Sequence, residues 1–194
     1  NTMKLLHHFG ISTRMVAHHQ HNEAASTEGL IALLHEGKSI ALVSDAGYPL
    51  ISDPGSVLAK RVIEEGYPLI PGSGSNAMLN ALVCSGMDTK HFMFYGFLKS
   101  ATNERIKELN ELRYFPYTMV FYEAPHRILD CVQDMADVFG ADRAVGFARE
   151  ITKTFETIKK MTLGELVEFV KNDHNQQKGE IVLVIGGATV EKDL

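Results

Sequence analysis

The most constraining feature of this chain is an alternation. Short β-branched or apolar runs end in Gly/Pro or polar turns, and stretches with apolar residues at helical spacing follow them. SIALVSD (39–45) breaks at Gly47 and Pro49, and VLAKRVIEEG (57–66) follows with helical spacing and a Gly stop. YPLIPGSGS (67–75) reads as a short strand entering a Gly/Ser turn, and NAMLNALVCSG (76–86) as an almost wholly apolar helix. HFMFYGFL (91–98), YTMVFYEAPHR (117–127), RAVGFARE (143–150) and EIVLVIGG (180–187) predict further strands. KSATNER predicts a polar loop before the helix ERIKELNELR, while ILDCVQDMADVFG (128–140) and LGELVEFVKND (163–173) predict two more helices. Such an order predicts an α/β fold with mainly parallel strands in the first half. The boundary is expected near 87–91, giving an N-terminal α/β domain at 1–89 and a C-terminal α/β domain at 90–194. Ligands in such sheets sit beyond the carboxyl ends of strands. The turns after 42–45, 70–72, 119–122 and 147–148 are therefore expected to belong to one cleft.

Composition narrows the class. With 194 residues and 45% hydrophobic content the chain can bury a real core, and its 22% charged residues suit a globular protein. No apolar run is long enough to span a bilayer and no basic segment precedes an apolar one, so a cytoplasmic protein is expected. Cys84 and Cys131 sit in apolar helical patterns and read as buried free thiols. The net charge of −5 argues against nucleic-acid binding over the whole surface, though not against a local basic patch or a small-molecule ligand.

Three constellations carry chemistry. In LVSDAGYPLISDPGS (42–56), Gly47 and Gly55 permit positive φ while Pro49 and Pro54 freeze theirs. A loop so stiffened loses little entropy on holding a ligand, and Asp45 or Asp53 is placed to accept from a hydroxyl or ammonium. Asp53 by itself reads better as the N-cap of the helix beginning near Pro54. In PGSGSNAM (71–78) a Gly-rich turn enters a helix, so its amides suit an anion or a carbonyl; a plain start capped by Ser75 or Asn76 is equally compatible. It matches neither the Walker pattern nor GxGxxG. In FYEAPHR (121–127), Glu123, His126 and Arg127 meet at a strand end, where a base and a phosphate-holding cation are useful; a surface Glu–Arg pair is the competing reading. Arg149, Glu150 and Lys153 repeat the theme. His7, His8, His18, His19 and His21 lack a nearby Cys or HExxH spacing, so they read as a solvated or partner-facing segment, with no metal expected. No GxSxG or Cys–His signature supports nucleophilic hydrolysis.

Taken in order, SDAGYPLISDPG, the Gly/Ser turn before a small-residue helix, YGFL, FYEAPHR, ARE-TKT-ET and KGE-I-VLVI resemble the tetrapyrrole methylase superfamily. FYEAPHR and the ARE-ITK segment point to its ribosomal-RNA branch. The resemblance implies two α/β domains with a cofactor in the cleft between them, and S-adenosylmethionine as that cofactor. It implies 2′-O-methylation of a cytidine ribose in 16S rRNA of the small ribosomal subunit, by a homodimer. Position by position, it implies cofactor contacts at Gly47, Tyr48, Pro49, Ile51, Asn76, Ala77, Tyr122 and Ala148, with Glu150, Gly179 and Glu180 nearby. Tyr48 stands where this branch usually has Thr, and Ser73 where Pro is common. Family members carry a first strand, a turn and a helix ahead of the segment that begins NTMKLLHHFG, so the N-terminal domain is expected to be truncated. Asp45, Glu123 and Arg127 are the expected catalytic groups, since a sulfonium donor needs alignment and removal of the hydroxyl proton but no metal. Lys99, Arg105, Arg127 and Arg149 are the expected RNA contacts, with Lys107 beside them. A tetrapyrrole methyltransferase of the same fold, or a non-catalytic dimerisation module, are the alternatives.

Overall fold

Two strands explain the centre of the sheet. TMVFYE (β2, Thr118–Glu123) and IVLVI (β5, Ile181–Ile185) are nearly continuous apolar runs, and every position except Tyr122 is buried. Such runs belong to strands covered on both faces. In the computed structural model, which describes residues 2–189, they sit inside a five-stranded sheet. Phe92–Phe97 is β1, Ala144–Arg149 is β3 and Thr157–Thr162 is β4, and the spatial order is β1-β2-β5-β3-β4. β1 and β2 are parallel and the other three pairings are antiparallel. The parallel pair needs a crossover, supplied by a helix at Thr102–Leu112 (α5 in the chain-order numbering below).

The chain divides into two units, Asn1–Asn76 and Ala77–Leu194. In the second unit, alternation along the strands sorts side chains to two faces. Met119, Phe121, Val145, Phe147, Leu183 and Ile185 share one buried cluster with Ile128, Cys131 and Met135 of α6 (Ile128–Phe139) and Leu163, Leu166 and Val170 of α7 (Leu163–Asn172). Val120, Ala148, Val182 and Val184 pack on the other face against Ala81 and Leu82 of α4 (Ala77–Cys84). Gly146 lets the end of α4 approach: a Cβ there would lie 2.7 Å from that of Ser85. α7 begins in a capping box between Thr162 and Glu165.

The first unit contains α1 (Thr2–His8), α2 (Glu23–His35) and α3 (Ser56–Glu64). Leu30, Ile31, Leu58 and Val62 form its buried centre, with Ile40 and Tyr67 packed against them.

The α/β class holds, but several details differ from the sequence expectation. Among the described residues 39–45 and 67–75 form no strand, so the parallel pairing expected in the first half is not seen there. A β-competent segment becomes a strand only where a neighbour supplies the ladder. The helix expected in the first domain, α4, packs on the sheet of the second unit. Cys131 is buried as expected, whereas Cys84 is exposed because it lies on the side of α4 turned away from that sheet. β4 escaped the sequence reading: TIKKMT is an edge strand whose central lysines interrupt the apolar pattern. Among the described residues, no helix is long and apolar enough to cross a membrane.

Candidate active site

The loop 42–56 is moulded rather than merely turned. Ser44 Oγ donates to the carbonyls of Ala46 and Gly47, each at 3.0 Å. Gly47 has φ 69°, and Leu50 and Ser52 are also left-handed, at 70° and 59°. An L-residue in that region costs on the order of 1 kcal/mol, so two in one loop mark backbone held by its surroundings. Gly55, at φ 129°, has no space for a side chain, since a Cβ would lie 2.8 Å from Leu42 and 2.9 Å from Leu50.

Tyr48 joins this loop to the second Gly-rich turn. Its hydroxyl accepts from Gly74 N at 3.2 Å, and Cβ atoms built at Gly74 and Gly47 would lie 3.9 Å from the Tyr48 ring and 3.8 Å from Ser75 O. The main chain of 45–55 and 71–75 lies outside any helix or strand, so it is not committed to a ladder. Asp45 and Gly47 are exposed, Tyr48, Pro49 and Asn76 are half-buried, and Ile51 is exposed. Ala77 opens α4 and is half-buried.

Asp53 does not cap α3. Glu23 does, from thirty-two positions upstream of Gly55: its Oε1 accepts from Gly55 N at 2.9 Å and Val57 N at 3.0 Å. The amides of Val57 and Gly55, in that order, hold the Glu23 carboxyl below its ordinary value. Asp53 is half-buried, and burial first, then the charge of Asp45, pushes its carboxyl up.

In the second unit the ends of β1, β2 and β3 meet the starts of β5 and β4, as the pairings Phe97–Tyr122, Glu123–Ile181, Arg149–Ile181 and Arg149–Thr157 show. Glu123 is 3% exposed. Its Oε1 accepts from Ala124 N (2.7 Å), Arg127 Nε (2.9 Å) and Arg127 Nη2 (2.7 Å). Its Oε2 is buried with no hydrogen-bond partner. Arg127 Nη2 also donates to Leu98 O at 3.1 Å, tying the ends of β1 and β2 together. The pair is thus buried on its acidic side and is no ordinary surface pair. Burial first, then the Glu123 charge, pushes the Cys131 thiol well up. Tyr122 stacks edge-on with Phe94 and Phe97, at 4.9 and 5.7 Å between centroids. Ala148 is buried on the α4 face. His126 is exposed.

Two of the residues expected to contact RNA are buried in the protein. Arg105 is 2% exposed and pairs with Asp134 at 2.6 Å while donating to Ser100 O, so it fastens α5 to α6. Arg149 is 6% exposed, and its guanidinium donates to Gln176 Oε1, Lys178 O and Phe155 O. Both guanidiniums are committed to internal acceptors, which leaves the exposed Lys99 and Lys107 as the cations of that segment. Beside Arg149, the Glu150 carboxylate accepts from Glu180 N (2.8 Å) and Lys153 Nζ (2.9 Å), and these bonds hold it below its ordinary value. Gly179 sits against that carboxylate at φ 80°, a backbone conformation that favours glycine.

Among the histidines, His7, His8, His19 and His21 are exposed, whereas His18 is buried against Ser26. Among the described residues, no three His, Cys, Asp or Glu side chains converge as metal ligands. Glu23 was missed by sequence reasoning, since nothing in its spacing signals a contact with Gly55, and the side chain of His18, expected in a solvated segment, is instead packed against Ser26.

Residues 3–167 match the family described as Tetrapyrrole (Corrin/Porphyrin) Methylases. The chain is 47% identical over 187 residues to a protein of Vibrio cholerae named ribosomal RNA small subunit methyltransferase I, covering 96% of this chain and 65% of that protein. A protein of the same name from Escherichia coli O157:H7 is 44% identical over 193 residues, covering 100% of this chain and 68% of its own length. The chain thus spans about two thirds of the length of these relatives. In fold it is similar to the crystal structure of diphthine synthase, with a TM-score of 0.70 and 15% identity, covering 98% of this chain and 75% of that one. By the match over residues 3–167 the chain belongs to the tetrapyrrole methylase family, and within it is similar to proteins named ribosomal RNA small subunit methyltransferase I.

Proposed function

We propose that this chain serves an S-adenosylmethionine-dependent methylation of a cytidine ribose 2′-hydroxyl in 16S rRNA of the small ribosomal subunit. Its identity to proteins named for ribosomal RNA methylation, across nearly all of its length, carries the proposal. We further propose a homodimer acting in the cytoplasm, with 1–89 and 90–194 as its two functional halves.

S-adenosylmethionine would supply a methyl group on a sulfonium. The exposed main chain of 47–51, with Tyr48, Pro49 and Ile51, fits a ligand rich in amide, carboxylate and hydroxyl groups, because Gly47 leaves the backbone open. Asn76, Ala77, Tyr122 and Ala148 are the further cofactor neighbours that the family resemblance gives. Asp53, whose carboxyl is pushed up by burial and then by the charge of Asp45, lies in the same loop. Asp45, exposed beside the loop, is placed to take the hydroxyl proton. Glu123 fixes Arg127 through two donors, so Arg127 is presented in one orientation to a phosphate or ribose oxygen. Lys99 and Lys107 would meet the RNA backbone, with Arg105 and Arg149 holding the elements beneath them.

Calorimetry with S-adenosylmethionine tests the cofactor step, with binding expected. Labelled methyl transfer to undermethylated small subunits, naked 16S rRNA and a porphyrinogen tests the substrate. Transfer to the small subunit is expected; none by the full-length protein would refute the proposal, and transfer to the porphyrinogen would replace it.

A further inference from the structure

β3 and β4 are antiparallel neighbours, and their ladder closes at the pair Arg149–Thr157. Antiparallel strands can be joined by two residues, yet the whole of 150–156 stands between these two. The longer connection is held in one shape from several sides. Glu150 and Thr152 are left-handed, at φ 49° and 64°. Glu156 Oε2 accepts from Thr152 N at 2.6 Å, and Glu150 Oε1 accepts from Glu180 N and Lys153 Nζ. The buried Arg149 guanidinium donates to Phe155 O at 2.8 Å. Such backbone persists only where the surroundings over-determine it. On this frame the loop presents the ring of Phe155, 73% exposed. Its neighbours Thr152, Lys153, Thr154 and Glu156 are exposed and polar.

A lone ring on a rigid polar loop is too small for a protein partner, whose interface needs a wide apolar core. It matches an unpaired nucleobase, because every base offers a π-face and one aromatic side chain suffices to stack it. The local charges permit a polyanion. The Glu150 and Glu156 carboxylates are engaged by amides and by Lys153, and Lys153 Nζ also reaches Glu180 at 3.1 Å. Lys178, whose carbonyl accepts from Arg149, is exposed. The loop is also tied to the strand end that holds Arg127. Arg149 Nε donates to Gln176 Oε1 at 3.0 Å, and the helical turn His174–Gln177 packs against the turn Pro125–Arg127. We infer that Phe155 is an RNA-binding residue, a platform on which an unpaired base of the substrate stacks beside the Arg127 strand end. The inference rests on the RNA substrate proposed above. Arg149 then acts from inside the protein, fixing the platform rather than touching phosphate.

The chain has no Trp, so Phe155→Trp places a single indole on the loop. In the full chain its fluorescence is followed against a single-stranded oligoribonucleotide and against the same strand annealed to its complement. Strong quenching by the single strand and little by the duplex are expected. Tyr114→Trp, at a position 77% exposed ahead of β2 and so at the opposite end of that strand from Arg127, should not be quenched. Phe155→Ala should bind the single strand about tenfold more weakly by anisotropy, the size of one lost stack, and Phe155→Trp should bind like wild type. In methyl transfer to small subunits, Phe155→Ala should raise KM by a similar factor and leave kcat nearly unchanged. Single strand bound without quenching, or an affinity unchanged in Phe155→Ala, overturns the inference and leaves the proposed function standing. Quenching that follows protein concentration without RNA also overturns it, by assigning the ring to a second copy of this chain. A wild-type chain that binds no single strand overturns it too, and the transfer assay then judges the function separately. Quenching by RNA without methyl transfer would strike the proposed function and leave the platform in place. Either variant decides alone if the other fails to fold.

Discussion

Replacing Arg127 by methionine removes two of the three donors on Glu123 Oε1 and keeps the carboxylate in place, 3% exposed. Ala124 N remains as the sole donor on that oxygen, and Oε2 has no hydrogen-bond partner to share the load. Breaking a buried pair from one side costs about 3–5 kcal/mol, because an uncompensated charge stays behind, whereas an exposed pair is worth about 0–1 kcal/mol. Arg127 is itself partly exposed, which places the expected loss near the lower end, about 3 kcal/mol. In a chain of this size each kcal/mol moves Tm by about 2–4 °C, so a fall of about 10 °C is expected. Glu123→Gln in the Arg127→Met background removes the stranded charge and should restore about half of the loss. The four proteins of the cycle can be compared by urea and thermal melts followed by far-UV circular dichroism, since the chain has no Trp. Hydrogen exchange on the 118–124 segment reports the same energy locally. A cost below about 1 kcal/mol for Arg127→Met, or no coupling between the two substitutions, would show that the pair behaves as a surface pair.

Glu23→Ala should cost about 1–2 kcal/mol at neutral pH through loss of the α3 cap. Because the folded carboxyl is held below its ordinary value, that stabilisation is present above about pH 4.3 and lost as pH falls through the depressed value. Wild type and variant should therefore converge in acid melts; a gap independent of pH would refute the cap. Asp53→Asn works with the opposite sign. The folded carboxyl is raised, so its unfavourable contribution grows as pH rises past the ordinary aspartate value. The variant should gain stability at neutral pH relative to wild type, with no gain in acid, while losing affinity for S-adenosylmethionine in calorimetry. Gly55→Ala should cost about 2–4 kcal/mol, from a positive φ and a Cβ pressed on Leu42 and Leu50; an unchanged urea midpoint would refute the packing described. Tyr48→Phe should cost about 1 kcal/mol by loss of the Gly74 N bond and raise the Kd for S-adenosylmethionine several-fold.

Local chemistry is what the chain displays openly. The apolar runs of β1, β2, β3 and β5, and the helical spacing of α3, α4, α6 and α7, mark those elements within a few residues, because period and Gly/Pro punctuation act over one or two turns of chain. The left-handed backbone at Gly47 and Gly55 follows from the same kind of signal. The lysines of β4 hide an edge strand that β3 alone pairs. Glutamate at position 23 caps a helix more than thirty residues away, and His18 reaches Glu23 only through folding. Arg105 and Arg149 look like phosphate ligands until the fold supplies Asp134 and Gln176 as internal partners. The segment 39–45 has the composition of a strand and, among the described residues, no ladder to join.

The order of motifs by itself determined the family. Tertiary structure alone decided which charges are available to a ligand. Burial and hydrogen-bond partners are long-range properties, and a guanidinium or carboxylate carries no mark in the sequence of whether its partner is solvent, substrate or the protein itself.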